Sequence, residues 1–194
     1  GWDTGGLAEL ILGEKIKLVR LRSNLVVMTS GGSRLWEVTG RLGELPEPYS
    51  MLSKAFARLK DCDYIIFDCA PSLDLLTYNV LAYTSCVLIP VSMDYLSALS
   101  AVETTNAVHG FKQKGNCRVL GVLPTFYDKR TRMSRIILRM VKEHFDKLVT
   151  ETIIRKNTQL SEAPSAGSTI FEHAPYSYGA ADYKNLVDEV SAKL

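Results

Sequence analysis

The sequence is poor in the features that mark metal, disulfide and membrane proteins. Four cysteines, Cys62, Cys69, Cys86 and Cys117, occur in 194 residues with no C-x-x-C pair among them. Three sit in or beside apolar runs, where a cysteine serves as a small buried hydrophobe, so their spacing argues against a zinc site or a disulfide framework. The three histidines, His109, His144 and His173, are dispersed and lack metal-ligand spacing. No apolar run approaches the ~20 residues that span a bilayer. No G-x-S-x-G string occurs, which sets aside a serine hydrolase of that class. A glycine-rich phosphate loop ending in lysine is absent too. The net charge is only +2, too little for bulk attraction to nucleic acid, so any such site must come from local clustering. Reduced thiols without a recognisable signal sequence lead to the expectation of a cytoplasmic protein.

What is present is an ordinary globular composition, 46% hydrophobic and 23% charged, long enough for one α/β domain over residues 1–194. Short apolar runs bounded by turn residues predict strands at Leu25–Thr29, Tyr64–Asp68, Cys86–Val91 and Val119–Pro124, with a short fifth at Thr152–Ile154. Helical patterns alternate with them, at Tyr49–Lys60, Leu73–Tyr83, Ser97–Lys112, Thr131–Phe145 and Tyr178–Lys193. The last is expected to put Tyr183, Leu186, Val187, Val190 and Leu194 on one face. The stretch from Gly40 to Pro48 reads as a loop. Such alternation predicts parallel βαβ units in an open, doubly wound sheet whose strands are covered on both faces.

In sheets of that kind ligands bind beyond the carboxyl ends of the strands. Asp68 closes the run Tyr64–Asp68 and stands where a carboxylate can hold a Mg²⁺ ion, directly or through water. The alternative is that Asp68 only caps the following turn. A second cluster lies after Val119–Pro124. Arg132, Arg135, Arg139 and Lys142 are spaced three, four and three apart, which places them on one helical face. Met133, Ile136, Ile137, Met140 and Val141 fall mainly on another. With Lys129 and Arg130 at its start, this helix is a candidate phosphate-contacting stripe, or else a solvated polar face. Ser30, Gly31 and Gly32 follow a strand-like run without a lysine in register and read as a turn.

The segment DYIIFDCAPSLDLLTYNVLA (Asp63 to Ala82) closely resembles the Walker B region of ParA-type partition ATPases, in which D-x-P-P-S runs into L-x-x-L-T-x-N-A-L. Ala70 stands in place of the first proline. Further on, VLIPVSMDYLSALS, GVLPTFYDKRT and QLSEAPSAGSTIFEHAPYSYGAADY are similar to the same family. The resemblance covers most of the chain from about Lys60 onward. It implies a P-loop NTPase fold of the SIMIBI, MinD/ParA class, with ATP and Mg²⁺ as cofactors. It also implies a homodimer, nonspecific DNA and a ParB-like stimulatory protein as partners, and association with the nucleoid.

By the same resemblance Asp68 is the Walker B aspartate that positions Mg²⁺. Lys156 and Asn157 fall in the P-R-N turn that borders the adenine, with Arg155 in place of the proline. For Asn157 the alternative is a turn residue in left-handed geometry. Arg130 matches an arginine implicated in DNA binding. The family's phosphate loop and its D-x-D-x-Q-x-N signature do not appear in these 194 residues, so an N-terminally incomplete domain is expected. The first residue, Gly1, is not a methionine. Unpaired strand edges and no ATP turnover by this chain alone follow as expectations. Two other readings remain: a non-catalytic DNA- or partner-binding module, and a MinD-like positioning ATPase.

Overall fold

The computed structural model describes residues 5–16, 18–40, 46–57, 62–111 and 115–194. The chain packs as two compact units, Gly1–Thr84 and Ser85–Leu194.

The first unit begins with α1 (Leu7–Ile11), β1 (Val19–Arg22) and β2 (Leu25–Val27), followed by α2 (Ser33–Gly40), α3 (Met51–Phe56) and α4 (Leu75–Tyr83). β1 and β2 pair antiparallel, with Val19 opposite Val27 and Arg22 opposite Leu25. This corrects the expectation that Leu25–Thr29 belongs to the parallel sheet. The run V-R-L-R alternates apolar and charged residues, and Ser23–Asn24 supplies a two-residue turn of hairpin length. Both strands therefore form a local ribbon.

The core of this unit gathers Met51, Leu52 and Phe56 of α3 around Val80 of α4, with Leu7, Leu10 and Ile11 of α1 packed against them. Asn79 is fully buried at its centre. Its Oδ1 accepts from Met51 N at 3.2 Å, and its Nδ2 donates to the carbonyls of Pro48 at 2.7 Å and Leu75 at 2.9 Å. A buried amide satisfied in this way carries no desolvation penalty and ties the start of α3 to α4. The predicted helix Tyr49–Lys60 is α3, shortened. Its predicted end, 58–60, lies outside the described residues, as does 41–45 of the predicted loop.

The second unit contains β3 (Cys86–Ser92), α5 (Tyr95–Phe111), β4 (Arg118–Thr125), α6 (Arg132–Phe145), α7 (Thr158–Glu162), α8 (Ile170–His173) and α9 (Tyr178–Lys193). β3 and β4 pair in parallel from Cys86–Arg118 to Ser92–Thr125. The segment 149–155 continues the sheet beyond β4 through parallel bridges Val122–Val149 and Tyr127–Arg155. It holds on through Thr150 N to Val122 O and Ile154 N to Pro124 O, both 2.9 Å. The βαβ reading thus stands, with Thr152–Ile154 inside a loosely bridged third strand.

Two expectations change, one for a strand and one for the last helix. β4 is buried from Val119 to Pro124, as expected of an inner strand, but β3 is only partly buried and Pro90 is exposed. A proline lacks the amide that a central strand needs, which suits an edge position. Gly121 permits the close approach of the third strand, because a Cβ there would lie 2.8 Å from Thr150 Cγ2. On α9, Leu186 is buried while Tyr183, Val187 and Leu194 are exposed. The predicted apolar face is therefore only partly covered. The last predicted residue of the helix Ser97–Lys112 lies outside the described residues.

Candidate functional site

The predicted strand Tyr64–Asp68 is not a strand. Among the described residues no backbone–backbone hydrogen bond is formed between Cys62 and Leu73. Phe67 turns inward and meets Phe56 and Tyr83 edge-on at 5.6 and 5.8 Å. Tyr64 and Ile66 point outward, 70% and 90% exposed. Among the described residues no strand lies beside this run to pair with it, and an apolar sequence alone does not make a ladder.

Asp68 follows at the exposed end of this run. It does not cap the next helix. Asp74 does, accepting from Thr77 N at 2.9 Å and from Ser72 Oγ at 2.9 Å. Burial raises the Asp74 carboxyl, but the Thr77 amide and the Ser72 and Thr77 hydroxyls outweigh it and leave the group more acidic than usual. Asp68 has no hydrogen-bond partner among the described residues. The neighbouring Cys69 thiol is pushed up by burial and by the negative charges of Asp68 and Asp74, so it is a poor nucleophile.

Elsewhere in this unit the turn Ser30–Gly32 borders a cavity of about 570 Å³ with Glu9, Val19, Leu21 and Val27. Gly31 and Gly32 have φ of 89° and 59°, as a turn requires. Glu9 accepts from Gly6 N at 2.6 Å and pairs with Arg34 at 3.2 Å.

The second unit places the remaining predicted residues around the carboxyl ends of β4 and its bridged neighbour. Beyond Thr125 the chain passes through Phe126, exposed and with a φ of 54°. A bulky residue costs about 1–3 kcal/mol in that conformation. Tyr127 N to Ile154 O at 3.1 Å and Lys156 N to Tyr127 O at 2.9 Å hold the turn in place. Asp128 then accepts from Arg130 Nε at 3.0 Å and its terminal nitrogen at 2.8 Å, and from Arg130 N at 3.0 Å. The Arg130 guanidinium, its amide and the nearby charge of Lys156 hold the Asp128 carboxyl well below the usual range. Arg130 is consequently exposed but already half of a bidentate pair.

Arg132, Arg135, Arg139 and Lys142 all lie on the exposed side of α6, whose buried side is Ser134, Ile137, Val141 and Phe145. Arg135 donates to Lys129 O at 2.7 Å. None of the four has an acidic salt-bridge partner among the described residues. Arg135, Arg139 and Lys142 border a depression of about 420 Å³ that Tyr127, Leu138 and the carboxylate-bearing Glu143 also line. The expected apolar face of α6 is divided: Ile137 and Val141 are buried, whereas Met133, Ile136 and Met140 are exposed.

Lys156 and Asn157 begin the turn into α7. Asn157 is extended, with φ −146°, and its Oδ1 accepts from Gln159 N at 2.8 Å as the N-cap. Asn157 thus has the structural role of the alternative reading, as a helix cap in extended rather than left-handed geometry. Capping leaves the Asn157 amide nitrogen as a donor.

Sequence reasoning missed the group that fixes this turn. Arg155 donates through Nε and a terminal nitrogen to Asp182 Oδ1 at 3.1 and 2.6 Å, and its own amide donates to Oδ2 at 3.0 Å. Asp182 is buried on α9. The Arg155 guanidinium lies 4.4 Å from the centre of the Tyr178 ring, within cation–π range. The partners are 27 residues apart, so no local pattern announces them. The one signal available was an acidic residue on the inner face of an otherwise apolar helix seam. Glu189 adds a second tie, accepting from the amides of Glu151 and Thr152 at 3.1 and 2.9 Å and from Lys193 at 2.7 Å.

A family model described as an AAA domain, AAA_31, matches residues 8–120. The chain is 37% identical over 161 residues to the chromosome-partitioning ATPase Soj of Thermus thermophilus, covering 81% of this chain and 64% of that protein. The chain belongs to the ParA/Soj-like partition ATPases. It is 39% identical over 144 residues to the sporulation initiation inhibitor protein Soj of Bacillus subtilis, covering 73% of this chain and 57% of that one. The chain thus spans about three-fifths of the length of these ParA/Soj relatives.

Among solved structures, McdA of Cyanothece in complex with ATP superposes with a TM-score of 0.86 at 17% identity, over 98% of this chain and 77% of that one. A cobyrinic acid a,c-diamide synthase structure from Mycobacterium smegmatis, with an ATP analogue and magnesium, gives 0.76 at 25% identity, over 94% and 70%. These likenesses establish the α/β P-loop NTPase fold. No helix among the described residues is long and apolar enough to cross a membrane.

Proposed function

We propose that this chain carries the magnesium-positioning, adenine-bordering and DNA-contacting parts of a ParA-type ATPase for plasmid or chromosome partitioning. The observation that carries this reading is the 37% identity to a chromosome-partitioning ATPase across 81% of the chain. ATP with Mg²⁺ is the cofactor that the resemblance implies, and each unit separately offers residues suited to it. Asp68 offers a carboxylate not committed to a helix cap, suited to accept hydrogen bonds from a metal ion's water shell. Lys156 offers a cation and Asn157 a spare amide donor on a turn held by Arg155 and Asp182. Mg²⁺ bound to the triphosphate would supply charge neutralisation. The 194 residues contain no glycine-lysine loop to cradle the phosphates, so this chain alone does not hydrolyse ATP.

Nonspecific DNA is the partner of the exposed side of α6. Four cations on one face without carboxylate partners release counterions when they meet phosphates. Arg130 joins them only by giving up Asp128. The resemblance adds a homodimer, a ParB-like stimulatory protein and a place on the nucleoid in the cytoplasm. Fluorescence anisotropy with a labelled duplex of arbitrary sequence tests the DNA reading. Four phosphate contacts give a log–log salt slope of about −3.6, a loss of about 150-fold between about 50 and 200 mM salt. Arg135→Ala with Arg139→Ala halves the slope to about −1.8. A slope that the double substitution leaves unchanged rules this face out.

A further inference from the structure

The exposed apolar residues of α6 form a second surface that DNA binding does not use. Met133, Ile136 and Met140 are 59%, 39% and 42% exposed and follow one another at three and four residues. That is the narrow seam of a helix–helix contact, positions a, d and a of a heptad, and is thinner than the broad apolar face that enters a lipid surface. On the same heptad Arg132 and Arg139, seven residues apart, both occupy position g, the flank that pairs with charges on a partner helix. Position e is Ile137, which is 2% exposed and belongs to this unit's own core. One flank of the seam is therefore cationic and the other closed by the fold.

This asymmetry selects the occupant. A second copy laid antiparallel about a two-fold axis brings g against g, arginine against arginine. A parallel copy needs position e, which is buried. Glu143, at the next d position, is the only carboxylate of α6, so a second copy cannot satisfy both Arg132 and Arg139. We propose that the Met133–Ile136–Met140 seam docks an amphipathic helix of another protein that carries carboxylates one heptad apart, facing Arg132 and Arg139. Because both arginines also belong to the proposed DNA face, such a helix and DNA compete. That consequence rests on the DNA reading, whereas the docking itself does not and is measured without DNA.

The probe is a synthetic helical peptide of about three heptads with Leu at both seam positions and Glu on both flanks. A peptide with the same seam and Lys flanks is the comparison. Anisotropy with the 194-residue chain is expected to show the Glu peptide binding at least about tenfold tighter than the Lys peptide. Arg132→Glu with Arg139→Glu inverts the order. Met133→Ser, Ile136→Ser and Met140→Ser together weaken the Glu peptide by about tenfold or more while leaving the DNA salt slope unchanged. The charge reversal alters only exposed side chains, so it decides the matter even where the triple variant fails to fold. The proposal is overturned by equal affinity for the two peptides, by no binding of either at about 100 µM, or by an order that charge reversal does not invert. It is also overturned if the triple substitution instead abolishes binding to phosphatidylglycerol–phosphatidylcholine vesicles, or abolishes self-association in sedimentation.

Discussion

Replacing Glu189 by Gln removes a carboxylate that pins the strand next to β4 to the last helix. Burial pushes this acid up, but the Lys193 ammonium and the amides of Thr152 and Glu151 outweigh it and hold its pKa at about 2, against an ordinary 4.5. A difference of about 2.5 units corresponds to about 3 kcal/mol in favour of the folded state. Its folded pKa is depressed, so this stability is present above the unfolded value. It disappears as the pH falls from about 4.5 through about 2. Gln retains one acceptor for the two amides but loses the charge that both they and Lys193 favour. At pH 7 Glu189→Gln is expected to cost about 2–3 kcal/mol. Near pH 2 the two proteins should be equally stable. Urea unfolding followed by circular dichroism at a series of pH values measures the difference directly. A gap that is constant across the series, or below about 0.5 kcal/mol at neutral pH, refutes the reasoning.

Arg155→Ala strands a buried carboxylate and is expected to cost about 3–5 kcal/mol. Asp182→Ala costs less, because the Arg155 side chain is 44% exposed and regains water. In a double-mutant cycle by urea unfolding the pair together should lose less than the sum of the two. Gly121→Ala drives a methyl into Thr150 and is expected to lose about 1–3 kcal/mol of stability. Thr150→Ser removes the clashing Cγ2, keeps the hydroxyl donating to Thr152 O at 2.7 Å, and should restore most of the thermal midpoint.

Long periodic elements were legible in the sequence. α6 and α9 lie within a residue of their predicted limits, and β3 and β4 pair in parallel as the alternation of strands and helices required. What failed depended on neighbours. Tyr64–Asp68 has a strand's composition, yet a strand exists only with a partner for its amides and carbonyls. Leu25–Val27 found its partner locally, through the Ser23–Asn24 turn, in Val19–Arg22, to which the sequence assigns no strand. The helical period groups the apolar side chains of α6 and α9 by angle. Which of them met the core was decided by tertiary packing, which leaves Met140 and Val187 exposed. Among the candidate site residues, the cations of α6 were readable because a helix repeats. The capping by Asp74 followed the usual residue preference, but the tie between Arg155 and Asp182 had no local trace.

The chemistry divides between what these 194 residues hold, a carboxylate at Asp68, and what they lack, a glycine-lysine loop. Phosphate release from ATP by the purified 194-residue chain, with Mg²⁺ and duplex DNA present, should match the buffer blank and stay there after Asp68→Asn. Turnover well above the blank that Asp68→Asn abolishes would contradict it, because these residues would then assemble a complete hydrolytic centre without a glycine-lysine loop.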